Sequence, residues 1–357
     1  MSEGKYKALW LEGDRLVVID QTLLPFSYTT KQLISPQDAI DAIADMTVRG
    51  AGVIGNVGAF GVYLAAIATG GNLEQIQAIS QQIRAARPTA VNLAWAVDRM
   101  LRVLVKSHDP LADARAEAIK ICDEDVENTL KIGKYGCDAI AKLATAKAGK
   151  TVNILTHCNA GWLAIVDRGT ALAPIYEAQD RGIDVHVWVD ETRPRNQGAN
   201  LTAWELGQQG IKHTLIADNT GGLLMQSGMV DMCIVGADRV TRAGDVANKI
   251  GTYLKALAAQ DNQVPFYVAL PASTLDMAIA DGKEVPIETR SSDEVLYMQG
   301  MNDAQQLTKI RIAPNLTPAI NYGFDITPAR LVTGLITERG ICQANEQAIK
   351  EMFSDLV

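Results

Sequence analysis

The chain has 357 residues, 48% hydrophobic and 21% charged, with a formal net charge of -8. That length exceeds one core of ordinary size, so two domains are expected. The acidic balance excludes a chain-wide basic footprint for nucleic acid, and no uninterrupted apolar run is long enough to span a membrane.

The first fourteen residues, MSEGKYKALWLEGD, lack the basic and apolar regions of a signal peptide. Cys122, Cys137, Cys158, Cys233 and Cys342 are odd in number and scattered, with no CxxC pair. Neither a disulfide framework nor a zinc knuckle is suggested, and a reducing, cytoplasmic setting is expected.

Residues 5–20 predict a hairpin, two strand-like runs around the turn Glu12-Gly13-Asp14. Ser35, Pro36 and Asp38 then give an N-cap, a first-turn proline and a capping-box pattern for a helix. Helical periodicity continues to about residue 146, interrupted near 69–72, 88 and 108–110. After Gly149 short β-rich runs appear at 152–156, 185–189, 232–235 and 266–270, separated by helical segments. Such alternation predicts a parallel, doubly wound sheet. The expected fold is therefore α/β: a small N-terminal β-hairpin plus helical domain (1–146), then a Rossmann-like parallel-sheet domain (147–357).

The polar residues that can do chemistry fall where these strands end. One strand runs into His157-Cys158-Asn159-Ala160-Gly161, another into Asp190 through Gly198, a third into Gly236-Ala237-Asp238-Arg239. In open α/β sheets ligands bind beyond the carboxyl ends of the strands. Cys158 has two readings: an inert buried cysteine, or an acid/base whose thiol is tuned by a helix opening at Asn159-Ala160-Gly161. His157 points to the opposite face from its neighbour and is read as structural. Asp238 is either an acid/base or a local cap and ion-pair partner for Arg239 or Arg242. Asp245 is expected to cap a helix with Asn248 and Lys249 in its first turn. A lysine there runs against the helix dipole, a conflict that an anionic ligand would resolve.

Arg49-Gly50-Ala51-Gly52 precedes a glycine-rich helical run, so a guanidinium and bare N–H groups meet at a helix start, enough for a phosphate. The same glycines also suit tight helix packing. Arg87, before Pro88, is a further guanidinium near a helix start, or a solvated surface arginine. The chain lacks a P-loop and a strand-linked GxGxxG, so nucleotide binding has no motif support.

Read together, these segments resemble the methylthioribose-1-phosphate isomerase family. The matching stretches include VRGAGVIG (48–55), RPTAVNLAWAVDRM (87–100), ILTHCNAG (154–161), VDETRPRNQGANLTAWEL (189–206), VDMCIVGADRV (230–240), GDVANKIGTY (244–253) and FDITPARLVTGLITERG (324–340). The resemblance implies Cys158 and Asp238 as the catalytic pair. Its implied substrate-binding positions are Arg49, Gly50, Ala51, Arg87, Gln197, Asn248 and Lys249. It also implies a phosphorylated pentose as substrate, a homodimer, and no metal or organic cofactor. Gly52 stands where the family commonly has Pro, Asn196 where an apolar residue is common, and Trp162 where a small residue is common. Relatives acting on 5-deoxyribose 1-phosphate or ribose 1,5-bisphosphate share these motifs. So do the regulatory subunits of translation initiation factor two B, which bind rather than catalyse. The Cys158–Asp238 pair favours the enzyme. Trp162, beside Cys158, either packs as core or lines the pocket at the C5 substituent.

Overall fold

A computed structural model describes residues 7–356. The chain opens with an antiparallel three-stranded sheet, β1 (Leu9–Glu12), β2 (Arg15–Ile19) and β3 (Thr30–Leu33). Of the predicted hairpin, Lys5 and Tyr6 lie outside the described residues. β3 is an addition, since Thr30-Lys31-Gln32 carries no apolar run. Next comes α1 (Pro36–Ala44), with both halves of the predicted capping box in place: Asp38 N–H donates to Ser35 Oγ, and Ser35 N–H donates to the Asp38 carboxylate. Helices α2 (Ala51–Ala68), α3 (Leu73–Ala85), α4 (Val91–Leu104) and α5 (Pro110–Ala146) follow. The breaks between them fall at the predicted punctuation.

α2 is apolar all round because it is a core helix, not a membrane span: 83% of it is buried inside the protein. Around it pack Val18 of β2, Ile43 of α1, Ile83 of α3 and Leu93 and Val97 of α4. The 37-residue α5 takes part in two cores. Ala114, Ala118 and Ile121 join the cluster around α2, whereas Ile132, Cys137 and Ile140 pack with the strands that follow.

Those strands and helices are β4 (Val152–Thr156), α6 (Ala173–Asp180), β5 (Val185–Asp190), α7 (Ala203–Gln208), β6 (His213–Ile216), α8 (Thr220–Gln226), β7 (Met232–Val235), β8 (Arg239–Thr241), β9 (Val246–Lys249), α9 (Thr252–Asp261), β10 (Phe266–Ala269), β11 (Leu275–Asp276), α10 (Asp293–Leu296), β12 (Tyr297–Met301), β13 (Leu307–Arg311), β14 (Phe324–Thr327), β15 (Gly334–Thr337), β16 (Gly340–Cys342) and α11 (Glu346–Met352). The main sheet has seven strands in the order β16-β15-β10-β7-β4-β5-β6, parallel except for β16. All four predicted strands are in it. β6 escaped sequence detection because it is an edge strand whose Thr214 and Leu215 are exposed, so no apolar run marks it.

From β4 the chain adds β5 and β6 on one side, then returns to place β7, β10 and β15 on the other. The strand order reverses between β4 and β7. A crevice opens at such a switch point. A smaller sheet, β11-β8-β9-β14, and the hairpin β12–β13 stand beyond the carboxyl ends of the main strands.

Candidate active site

Cys158 follows β4 and Asp238 follows β7, the two adjacent strands that flank the switch point. Cys158 has φ 66°, a left-handed conformation uncommon for a side-chain-bearing residue. It is held there from both sides: its N–H donates to Thr192 Oγ1 at 2.8 Å, and its carbonyl accepts Thr202 Oγ1–H at 2.6 Å. The expected helix at Asn159-Ala160-Gly161 is absent, and no helix starts before Ala173. Gly161 and the loop after it instead wrap round the buried Glu205 carboxylate, which takes the N–H groups of Trp162 and Leu163. Those donors are therefore satisfied without a helical turn.

A different helix start takes that place. Gly50 caps α2 with φ 91°, and a Cβ there would lie 2.5 Å from Ala164 Cα, so only glycine lets the helix end approach the Cys158 loop. Gly50 and Ala51 share a cavity of about 30 Å³ with Arg49, Cys158, Asp238 and Asn248. The Arg49 guanidinium donates to the carbonyl oxygen of Asn159 at 2.8 Å and to its Oδ1. A cation and the N–H groups of a helix end thus meet Cys158 and Asp238.

A second small cavity joins Asp238 to Arg87 and Phe324. Arg87 is not a surface arginine: its side chain is 12% exposed and its Nη2 pairs with Glu288 Oε2 at 3.1 Å. Arg290 holds the other Glu288 oxygen at 2.9 Å. The expectations for Asp245, Asn248 and Lys249 need correcting. Val246–Lys249 is strand β9, paired with Phe324–Thr327, and the next helix begins at Thr252 after Gly251 at φ 104°. Asp245 accepts the N–H groups of Gly282 and Ala329, both at 2.9 Å, and caps no helix here. Val246-Ala247-Asn248-Lys249, buried throughout, has a partner strand, and that tertiary pairing overrides the helical pattern. Asn248 and Lys249 still reach the site from the strand, both buried.

Burial raises the Asp238 carboxyl above its ordinary value, while Lys249, Arg87 and Arg49 pull it back. The Cys158 thiol is also raised by burial, opposed by Arg49 and Lys249. Desolvation lowers Lys249, with Cys158 and Asp238 working to keep it charged. A desolvated acid, a thiol and cations in one crevice is the pattern of an acid/base site.

Gln197 sits on the far side of Arg49, lining a cavity of about 230 Å³ with Arg49, Met46 and Tyr297. Its side chain is buried and its Oε1 has no hydrogen-bond partner among the described residues. His157 is structural as predicted: Nδ1 meets Asp190 at 3.0 Å and Nε2 meets the carbonyl of Ile250 at 2.8 Å. Among the described residues, His157, Asp190 and Asp218 are spaced to hold a metal. Asp218 already takes two backbone N–H groups, and Asp190 Oδ2 meets both His157 and the Lys255 ammonium, the latter at 3.1 Å, while Asp190 Oδ1 is buried without a hydrogen-bond partner among the described residues. Trp162 is fully buried, its ring 5.6 Å from that of Trp204, and belongs to the core rather than the pocket. Sequence reasoning missed Thr192, Glu205 and Glu288. The first two lie in VDETRPRNQGANLTAWEL, which matched as a stretch, but only the fold shows what each side chain touches.

Residues 47–344 match the model of the initiation factor 2 subunit family. The chain belongs to that family. Within it, the chain is 59% identical to methylthioribose-1-phosphate isomerase of Sulfurimonas denitrificans, over 98% of this chain and 99% of that one. Its fold matches 5-methylthioribose 1-phosphate isomerase of Pyrococcus horikoshii with a TM-score of 0.82 at 38% identity, covering 98% of this chain and 96% of the other. The structure of the delta subunit of translation initiation factor eIF-2B from A. fulgidus matches with a TM-score of 0.80 at 36% identity, over 98% and 99%. The family resemblance and the α/β fold expected from sequence are both borne out.

Proposed function

We propose that this chain is an aldose–ketose isomerase that converts 5-methylthioribose 1-phosphate into 5-methylthioribulose 1-phosphate in methionine salvage. The observation that carries this reading is the convergence of Cys158 and Asp238, from adjacent strands, on a cavity bounded by Arg49, Gly50 and Ala51. The methylthioribose-1-phosphate isomerase of Sulfurimonas denitrificans, 59% identical, supports the same substrate.

The chemistry follows from the substrate. A sugar phosphorylated on its anomeric oxygen opens only if the C1–ring-oxygen bond breaks while the phosphate stays on C1. A carboxyl whose proton affinity is raised by burial is suited to protonate that ring oxygen, and this is the role assigned to Asp238. Hydrogen then moves from C2 to C1, so C2 is oxidised as C1 is reduced and the electrons balance within the substrate. Cys158 serves as the partner acid/base or stabilises the transition state. Arg49 with the Gly50 and Ala51 amides holds the phosphate, with Lys249 adding charge. Arg87, Gln197 and Asn248 complete the substrate-binding set.

Substrate choice is tested with a panel of 1-phosphorylated pentoses carrying methylthio, hydrogen or phosphate at C5, assayed for ketose formation. Fastest turnover of the 5-deoxy or bisphosphate sugar would reassign the substrate. Turnover of none would favour the regulatory reading suggested by the A. fulgidus subunit. A homodimer is part of the proposal, supported by Leu223 on α8 and Leu254 on α9, both more than 60% exposed on neighbouring helices. Five free cysteines support a cytoplasmic location.

A further inference from the structure

We infer that Glu205 is a positioning residue that acts as the buried counter-ion of Arg49, through the side-chain amide of Asn159. The inference rests on the reading above that Arg49 holds the substrate's phosphate.

Glu205, in the first turn of α7, is fully buried. Its carboxylate accepts four hydrogen bonds: Asn159 Nδ2–H at 2.9 Å, Trp162 N–H at 3.0 Å, Leu163 N–H at 3.0 Å and Tyr176 O–H at 2.8 Å. Gly161 admits it, for a Cβ at that position would lie 1.8 Å from Glu205 Oε2. On the other side of Asn159, both Oδ1 and the main-chain oxygen accept from Arg49. The Asn159 amide dipole is therefore aligned between an anion at its NH2 end and a cation at its oxygen end, each strengthening the other's hydrogen bond. Held at Nδ2 by Glu205 and by Thr202 Oγ1, Asn159 aims the guanidinium at the cavity shared by Gly50 and Cys158.

Bringing the charges together across one amide lets Arg49 stay buried without a directly paired carboxylate, so its outer face is free for an anion. Burial raises the Glu205 carboxyl to about 7, against the lowering influence of Asn159, Tyr176, Leu163 and the Arg49 charge. The carboxylate is therefore lost as pH falls through about 7, and the anion site weakens in the same window. The charged and titratable groups facing this line are Arg49 and Tyr176 directly, then Cys158, Asp238 and Arg87 across Arg49, and Arg168 beyond Tyr176.

The test measures sulfate binding by calorimetry from pH 5.5 to 8.5 on the full chain, because sulfate carries a constant charge in that range, and KM and kcat beside it. For Glu205→Gln we expect sulfate affinity and 1/KM to fall roughly tenfold at pH 8 with kcat within about threefold, the loss of one charge-assisted interaction. The acid-side weakening of sulfate binding in the wild type should vanish in the variant. Glu205→Asp should recover part of the lost affinity, and Tyr176→Phe, which leaves the Asn159–Arg49 line intact, should bind sulfate near wild-type strength at the alkaline end with its acid-side weakening moved to higher pH. Unchanged sulfate affinity in Glu205→Gln, while Arg49→Ala loses it, would overturn the inference and leave the phosphate site standing. Should the glutamine variant not fold, the wild-type profile decides: sulfate affinity flat between pH 6 and 8 also overturns it. Absence of isomerase activity in the wild type would strike the proposed function instead, since sulfate binding is read without turnover.

Discussion

Thr192 Oγ1 accepts the N–H of Cys158 at 2.8 Å, and both residues sit in the left-handed region at φ 66°. Two strained positions at the ends of neighbouring strands β4 and β5 thus brace each other. Left-handed backbone at side-chain-bearing residues costs about 1–3 kcal/mol each, so the surrounding fold must over-determine it. Asp218 does part of this, accepting the N–H groups of Thr192 and Arg193 at 2.7 Å. The strain lies where the proposed chemistry is.

The proposed catalytic pair, Cys158 and Asp238, gives the first prediction. Asp238→Asn is expected to fold normally and lose about two orders of magnitude or more in kcat, the scale of general acid–base work. Cys158→Ser should fall strongly as well. Turnover near wild type in either variant, measured at saturating substrate, would remove that residue from the mechanism.

Activity against pH gives the second. A carboxylic acid that must donate is active below its folded pKa and loses function as pH rises through it. Lys249 lowers the Asp238 carboxyl, whereas Glu288 raises it. Lys249→Met should therefore move the alkaline limb of kcat to higher pH, and Glu288→Gln should move it to lower pH. The same shifts seen on the acid limb instead would show that Asp238 works as the carboxylate, and no shift in either limb would remove it from the pH profile.

Stability against pH is set elsewhere. Asp125 of α5 is buried, hydrogen-bonded by Asn56 Nδ2 at 2.6 Å, and raised by burial from 3.8 to about 7. The folded state binds the extra proton, so stability is full below pH 4 and falls as pH rises toward 7. The effect is on the order of 4 kcal/mol at most. Asp125→Asn should reduce that slope in urea unfolding series between pH 4 and 8, leaving the part contributed by Glu205, which burial also raises to about 7. An unchanged slope would mean the carboxylate is compensated when ionised.

Trp162 provides the last. As a fully buried ring against Trp204, its replacement by alanine should cost about 3–5 kcal/mol and leave the preference among C5-methylthio, C5-hydrogen and C5-phosphate sugars unchanged. A changed preference at unchanged melting temperature would return it to the pocket.

Patterning in one dimension decided a good deal about this protein. The capping box at Ser35, the helix breaks, four central strands and the strand-end positions of Cys158 and Asp238 are local signals, set by side-chain period and turn chemistry. The helix start at Gly50-Ala51, with Arg49 before it, was legible for the same reason: a helix start with glycine before it needs no distant partner. Tertiary structure decided the rest. Val246–Lys249 became a strand because β14, some eighty residues later, pairs with it, and edge strand β6 is held by β5 rather than by its own apolar content. The loop after Cys158 is not helical because Glu205, over forty residues away, takes its N–H groups. Trp162 is core because Trp204 covers it, and Arg87 turns inward because Glu288 meets it. A backbone donor or a charge can be satisfied by any partner the fold brings near, and which partner arrives is a property of the packed chain, not of the segment that waits for it.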